Sequence, residues 1–144
     1  MPSITKEQAL KRQSQAPDGW KYDWKYYVVW DENSLYRRIW TDETHFVEAR
    51  VEFRQNYNYL PSYNGRSTCR VEAGHYHIAL HVATWTVDAN GTATSHGLGH
   101  WLNLDNGQYT RRNYKDICKI AADLTDEMIL SYSNHCKNLA LTAV

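Results

Sequence analysis

What this chain has little of sets the first limits. Leu, Ile, Val and Phe together make up less than a fifth of its 144 residues, and the formal net charge is zero. No apolar run exceeds a few residues, which leaves no transmembrane helix and no membrane partner to expect. With a sequence pI near 7.0, bulk electrostatics argue against duplex nucleic acid as a partner. Cysteine is scarce and odd in number: Cys69, Cys118 and Cys136 form no C-x-x-C pair. A disulfide framework is therefore not expected, and a reducing, cytoplasmic setting is. No apolar stretch follows Met1-Pro2-Ser3-Ile4, so no secretory leader is expected. P-loop, dinucleotide-fingerprint, nucleophile-elbow and zinc-finger spacings are all missing, which removes the common routes from motif to enzyme.

Aromatic residues stand where the aliphatics are missing: six Trp, eleven Tyr and two Phe. One domain over residues 1–144, with a core rich in amphipathic rings, is the expectation. Ser3 or Thr5 can cap a polar N-terminal helix or arm over residues 1–16, and Pro17-Asp18-Gly19 reads as a turn. From Trp20 to Trp30 the pattern has period two. Trp20, Tyr22, Trp24, Tyr26, Val28 and Trp30 share one face and Lys21, Asp23 and Lys25 the other, as a strand requires. Leu35 to Thr41 is a second strand. His45 to Gln55 alternates like a half-exposed strand, although Phe46, Ala49 and Phe53 also fit a helical stripe. Asn56 to Thr68 reads as a 13-residue loop rich in Tyr and Asn, followed by strands over 69–73, 75–87 and 92–104. Asn113-Tyr114-Lys115-Asp116 opens a helical segment over 113–140, with a second capping signal at Thr125. The fold class is thus α+β: an antiparallel sheet of five to seven strands over residues 20–110, with one or two C-terminal helices packed on one face.

The longest strand candidates meet at Asn90-Gly91, a strong hairpin signal. A two-residue turn there makes paired residue numbers sum to 181, which sets His81 opposite His100 and Trp85 opposite His96. A four-residue turn gives 179. Either odd sum places His75, His77, His81, His96 and His100 on one face, and Tyr76, Ile78, Leu80 and Val82 beside Gly97, Gly99 and Trp101 on the other. Cross-strand neighbours lie about 4.5–5.5 Å apart, so His77, His81 and His100 are the candidate ligands for a divalent metal such as zinc. Small alanines on the same face, Ala79 and Ala83, suggest a concavity to line.

Guanidinium forks suit phosphates and carboxylates. Arg66, beside the Tyr/Asn loop, and Arg111 and Arg112, before a helix N-terminus, are the candidate anion contacts. Arg50 and Arg54 alternate with Glu48 and Glu52 and read as a self-paired face. The function expected is recognition: a module binding a small anionic molecule or a protein partner, in the manner of a sequestering protein. Its expected contacts are Tyr57, Tyr59, Tyr63, Arg66, Trp85, His96, Arg111 and Arg112, since Tyr and Asn combine contact area with adaptable hydrogen bonding. An oligomer is compatible with this reading. A metal-dependent enzyme built on the histidine cluster is the alternative from a different class. Single-stranded nucleic-acid binding on the Trp20–Trp30 aromatic face is a second alternative, since flat rings stack on any base.

Overall fold

The computed structural model describes residues 5–22, 34–61, 68–104 and 109–142, with the side chains of all of these except 57–61, 68–74, 97–100 and 140–142. Helix α1 (Lys6–Gln15) starts at a capping box. Thr5 Oγ1 accepts from the Gln8 backbone N–H at 3.1 Å, and Gln8 Oε1 accepts from the Thr5 N–H at 2.9 Å. Only Ala9 of this polar helix is buried, so its attachment depends on other contacts. Arg12 supplies them. Its guanidinium donates to Tyr22 Oη at 2.7 Å, while its carbonyl accepts from Tyr114 Oη at 2.8 Å. The two tyrosine rings meet edge-on at 5.4 Å. Burial pushes the Tyr114 phenol above its ordinary range, which keeps it protonated as a donor.

Five antiparallel strands follow in chain order: β1 (Lys21–Tyr22), β2 (Ser34–Trp40), β3 (His45–Pro61), β4 (Thr68–Val87) and β5 (Ala93–Asn103). The α+β class and single-sided helix arrangement expected from the sequence are what the chain adopts. The helical alternative for His45–Gln55 is not; strict alternation over this stretch builds strand. Trp20 and Tyr22 are buried on the core face and Lys21 is exposed, as the period-two reading requires. The remainder of the Trp20–Trp30 ladder lies outside the described residues.

The expected loop over 56–68 is overturned at both ends. Residues 56–61 continue β3 and residue 68 begins β4, with Tyr57 opposite Glu72, Tyr59 opposite Arg70 and Pro61 opposite Thr68. Tyr is a strong strand former, and its alternation with Asn was the relevant signal. The expected strands 69–73 and 75–87 are one strand, carried past Gly74 by a bulge opposite Asn56.

The β4–β5 hairpin forms, but with neither expected turn. Gly91 N–H donates to Asp88 O at 3.0 Å, and Gly91 alone in the loop has positive φ, +80°. Asp88 Oδ1 accepts from the backbone N–H groups of Asn90 and Thr92, each at 2.9 Å. This is a three-residue loop, a type I turn closed by a left-handed glycine, rather than a two-residue turn needing positive φ at both Asn90 and Gly91. The odd loop length makes pair sums even: Thr84 faces His96, Trp85 faces Ser95 and Val87 faces Ala93. Beyond an irregularity at His81/Ala83, His81 faces Trp101. The five histidines therefore do not share a face. His96 lies on the face of Thr84, with Nε2 3.0 Å from Thr86 Oγ1. Trp101, expected on the core side, lies on the outer face against the His81 ring at 4.8 Å.

At the C-terminus, Asn113 caps α2 (Tyr114–Ala122) by accepting from Lys115 N–H at 3.1 Å. Thr125 Oγ1 accepts from Met128 N–H at 3.2 Å at the start of α3 (Asp126–Thr142). Ile117, Ala121, Leu124, Ile129 and Cys136 bury against Leu35, Val47, Ala49, Val51, Ile78, Leu80 and Val82 of the sheet. Cys136 is fully buried and His135 exposed, so these sequence neighbours point apart as helix geometry demands. Among the described residues, no helix is long and apolar enough to cross a membrane.

Candidate functional site

The alternate positions of β2, β3, β4 and β5 that face away from the helices form cross-strand rows. Trp40, Phe46, Trp85 and Ser95 make the first; Arg38, Glu48, Ala83 and Gly97 the second. Tyr36, Arg50, His81 and Trp101 follow, then Ser34, Glu52, Ala79 and Asn103. Rings and guanidiniums interleave along this outer face. Phe46 and Trp85 stack at 5.8 Å and 7°, Trp40 leans on Phe46 at 4.8 Å, and the Arg54 guanidinium sits 4.0 Å above the Trp101 ring. Arg38 lies 5.0 Å from the centre of Phe46 and 5.7 Å from that of Tyr36. These long side chains cover their small neighbours: Ala79, on this face, is fully buried.

Charge pairing here follows the sequence. Arg38 and Arg50 approach Glu48 at 3.1 and 3.6 Å, and Arg54 approaches Glu52 at 3.7 Å. Lys21, opposite Tyr36 on β1, has no carboxylate partner among the described residues. Among the described residues of the outer face, Lys21, Arg38, Arg50 and Arg54 are set against Glu48 and Glu52, a local excess of positive charge.

That excess concentrates at the β1–β2 edge. A cavity of about 270 Å³ opens there, lined by Gly19, Lys21, Tyr36, Arg37, Arg38 and Trp40. The turn at Pro17–Trp20 forms one wall. It is closed by a 3.0 Å bond from Trp20 N–H to Pro17 O, with Gly19 at φ +85°. Arg37 is held on two sides: one terminal nitrogen donates to Asp18 O at 3.4 Å, and the other pairs with Asp126 of α3 at 2.5 Å. Glycine is favoured there by its φ, and a Cβ at position 19 would lie 2.8 Å from the Arg37 guanidinium and displace its tip. Arg38 spends Nε on Glu48; among the described residues its two terminal nitrogens have no hydrogen-bond partner and are open to a ligand. Trp40 is 54% exposed, with the buried Phe46 ring behind it.

The residues expected from sequence to bind are not gathered at this cleft. Trp85 lies on the outer face, in the row of Trp40. His96 is on the opposite face, and Arg111 and Arg112 precede α2 on the helix side, Arg112 5.6 Å from the Tyr76 ring centre. Tyr57 and Tyr59 have strand backbones, with side chains outside the described set; Tyr63 and Arg66 lie wholly outside the described residues. Among the proposed metal ligands, His77 and His81 stand four residues apart on one strand, ~13 Å along it. Their rings have different neighbours: Asn56 Oδ1 hydrogen-bonds His77 Nδ1, and Trp101 flanks His81. The side chain of His100 is outside the described set. Among the described residues, no group of three His, Cys, Asp or Glu side chains is placed to hold a metal.

The cleft residues missed in the sequence carried a usable signal. Tyr36, Arg38 and Trp40 alternate on one strand, and Lys21 stands opposite Trp20 and Tyr22 in the period-two pattern. Only the pairing of β1 with β2 brings the two sets together. Comparison with known proteins finds no matching family model, curated protein or solved structure.

Proposed function

We propose that this chain is a recognition module that takes a small anionic ligand in the cleft between the Pro17–Trp20 turn and β2. The observation that supports the reading is convergence: Lys21, Arg37 and Arg38 meet around one cavity with Tyr36 and Trp40 as its aromatic sides. Arg37 is already oriented by Asp18 and Asp126, so its own ordering is not left for the binding event. Arg38 offers terminal nitrogens and Lys21 an ammonium with no carboxylate partner among the described residues, the donors from which phosphate and carboxylate oxygens accept. The cavity is slightly smaller than the roughly 300–1,000 Å³ of drug-sized sites, which suits a small molecule rather than a polymer.

Titration calorimetry with inorganic phosphate and pyrophosphate tests this. Saturable binding that weakens as salt rises is expected. Each charge-assisted hydrogen bond contributes about 1.5–3 kcal/mol, so the double variant Lys21→Gln/Arg38→Gln should lose at least about tenfold in affinity. Binding of neither anion at low salt, or binding untouched by the double variant, would overturn the reading.

A further inference from the structure

The cleft joins two kinds of chemistry, and an inorganic anion uses only one. Resting on the anion-binding reading above, we propose that its ligand is a ring-bearing phosphate of the nucleoside monophosphate class, with the phosphate at Arg38 and Lys21 and the ring on Trp40. Three observations support this. Trp40 exposes half of its surface at the cleft, while its other side leans on the fully buried Phe46, itself stacked on Trp85. The indole is thus a fixed, half-open plane, and a planar ligand can cover it without first ordering it. Second, Arg38 follows two residues before Trp40 on the same strand face, a separation of ~6.7 Å, the scale of one ribose between a base and its 5′-phosphate. Third, a cavity of about 270 Å³ holds one ring and one charged group but not a second nucleotide.

The lining also bears on selectivity. Base identity is read by hydrogen bonds to base edges, whereas stacking tolerates any base. The cleft side chains beside Trp40 are cations and a tyrosine, which address the phosphate end. Purine and pyrimidine monophosphates should therefore bind within a few-fold of each other, the larger purine plane ahead.

Calorimetry with adenosine 5′-monophosphate, ribose 5-phosphate and inorganic phosphate separates the ring from the charge. Stacking of one base on an aromatic side chain contributes about 1–3 kcal/mol, so the nucleotide should bind about 5- to 150-fold tighter than ribose 5-phosphate. Trp40→Ala should lower nucleotide affinity to near that of ribose 5-phosphate, with a much smaller loss for ribose 5-phosphate itself. Trp40→Phe should retain most of the difference, and it controls for disturbance of Phe46 behind the ring. Equal affinity for nucleotide and sugar phosphate, or an equal loss of both in Trp40→Ala, would overturn the nucleotide assignment while leaving anion binding intact. Failure of all three probes to bind would remove both proposals together.

Discussion

Replacing Gly91 with alanine, Asn90 with alanine and Asp88 with alanine, one at a time, tests the loop on which the assignment of faces depends. Gly91 holds φ +80°, and no heavy atom lies within 4 Å of a Cβ built on it. Its cost is therefore purely conformational, about 1 kcal/mol for an L-residue in the left-handed region. Asn90 has negative φ and an exposed side chain, so its replacement should stay within about 0.5 kcal/mol. Asp88 accepts from two backbone N–H groups at 2.9 Å. Losing that cap should cost about 1 kcal/mol, as at a helix N-cap. At about 2–4 °C per kcal/mol for a chain of this size, thermal unfolding resolves Gly91→Ala and Asp88→Ala from Asn90→Ala. If Asn90→Ala proved as costly as Gly91→Ala, Asn90 too would need positive φ. The loop would then have two residues, pair sums would return to 181, and His81 would stand opposite His100.

Three further outcomes follow from local contacts. Gly19→Ala forces positive φ on alanine and drives a Cβ to 2.8 Å from the Arg37 guanidinium; phosphate affinity and melting temperature should both fall, and a change in neither would show that Arg37 is not fixed by the turn. Tyr114→Phe removes the bond to the Arg12 carbonyl at about 1 kcal/mol, and hydrogen exchange should quicken in α1 first, with phosphate binding unchanged; uniform destabilisation without early loss of α1 would contradict the anchoring role. In the β2–β3 turn, the backbone N–H of Thr44, then the His45 ring, hold the Asp42 carboxyl at about 2 instead of 3.8. A depressed carboxylate stabilises the fold above its ordinary pKa, and that contribution is lost as pH falls from about 4 toward 2. An NMR titration of Asp42 with its midpoint near 3.8 would refute the bond network.

Element types were largely legible because they depend on local periodicity. The Thr5 cap, the β2 and β3 alternation and the Asn113 and Thr125 restarts each involve residues within a few positions of one another. The Tyr/Asn segment misled because its polar composition outweighed its alternation. Asn-rich sequence suggests a loop, yet Tyr57 and Tyr59 pair in register with Glu72 and Arg70. Strand pairing with a neighbour satisfies backbone groups that a loop must leave to water, and no local signal records that neighbour.

One residue of loop length decides the partner of every side chain along the hairpin. Successive strand residues point to opposite faces, so the parity of the pair sum decides which side chains meet. Both turn lengths weighed from the sequence were even, and both gave an odd sum. The three-residue loop gives an even one, and it exchanges the partners of every residue from His96 to Ala93. Asn-Gly is compatible with both loops, because each places its glycine at positive φ; the discriminating residue is Asp88, whose carboxylate closes the longer loop. The cleft was hidden for a related reason. Its chemistry is plain in Tyr36, Arg38 and Trp40, but its depth comes from the turn at Gly19 and from Arg37, held between that turn and α3. A strand face read alone supplies a row of side chains. Only the packing of the Gly19 turn against one end of the row makes a place for a ligand.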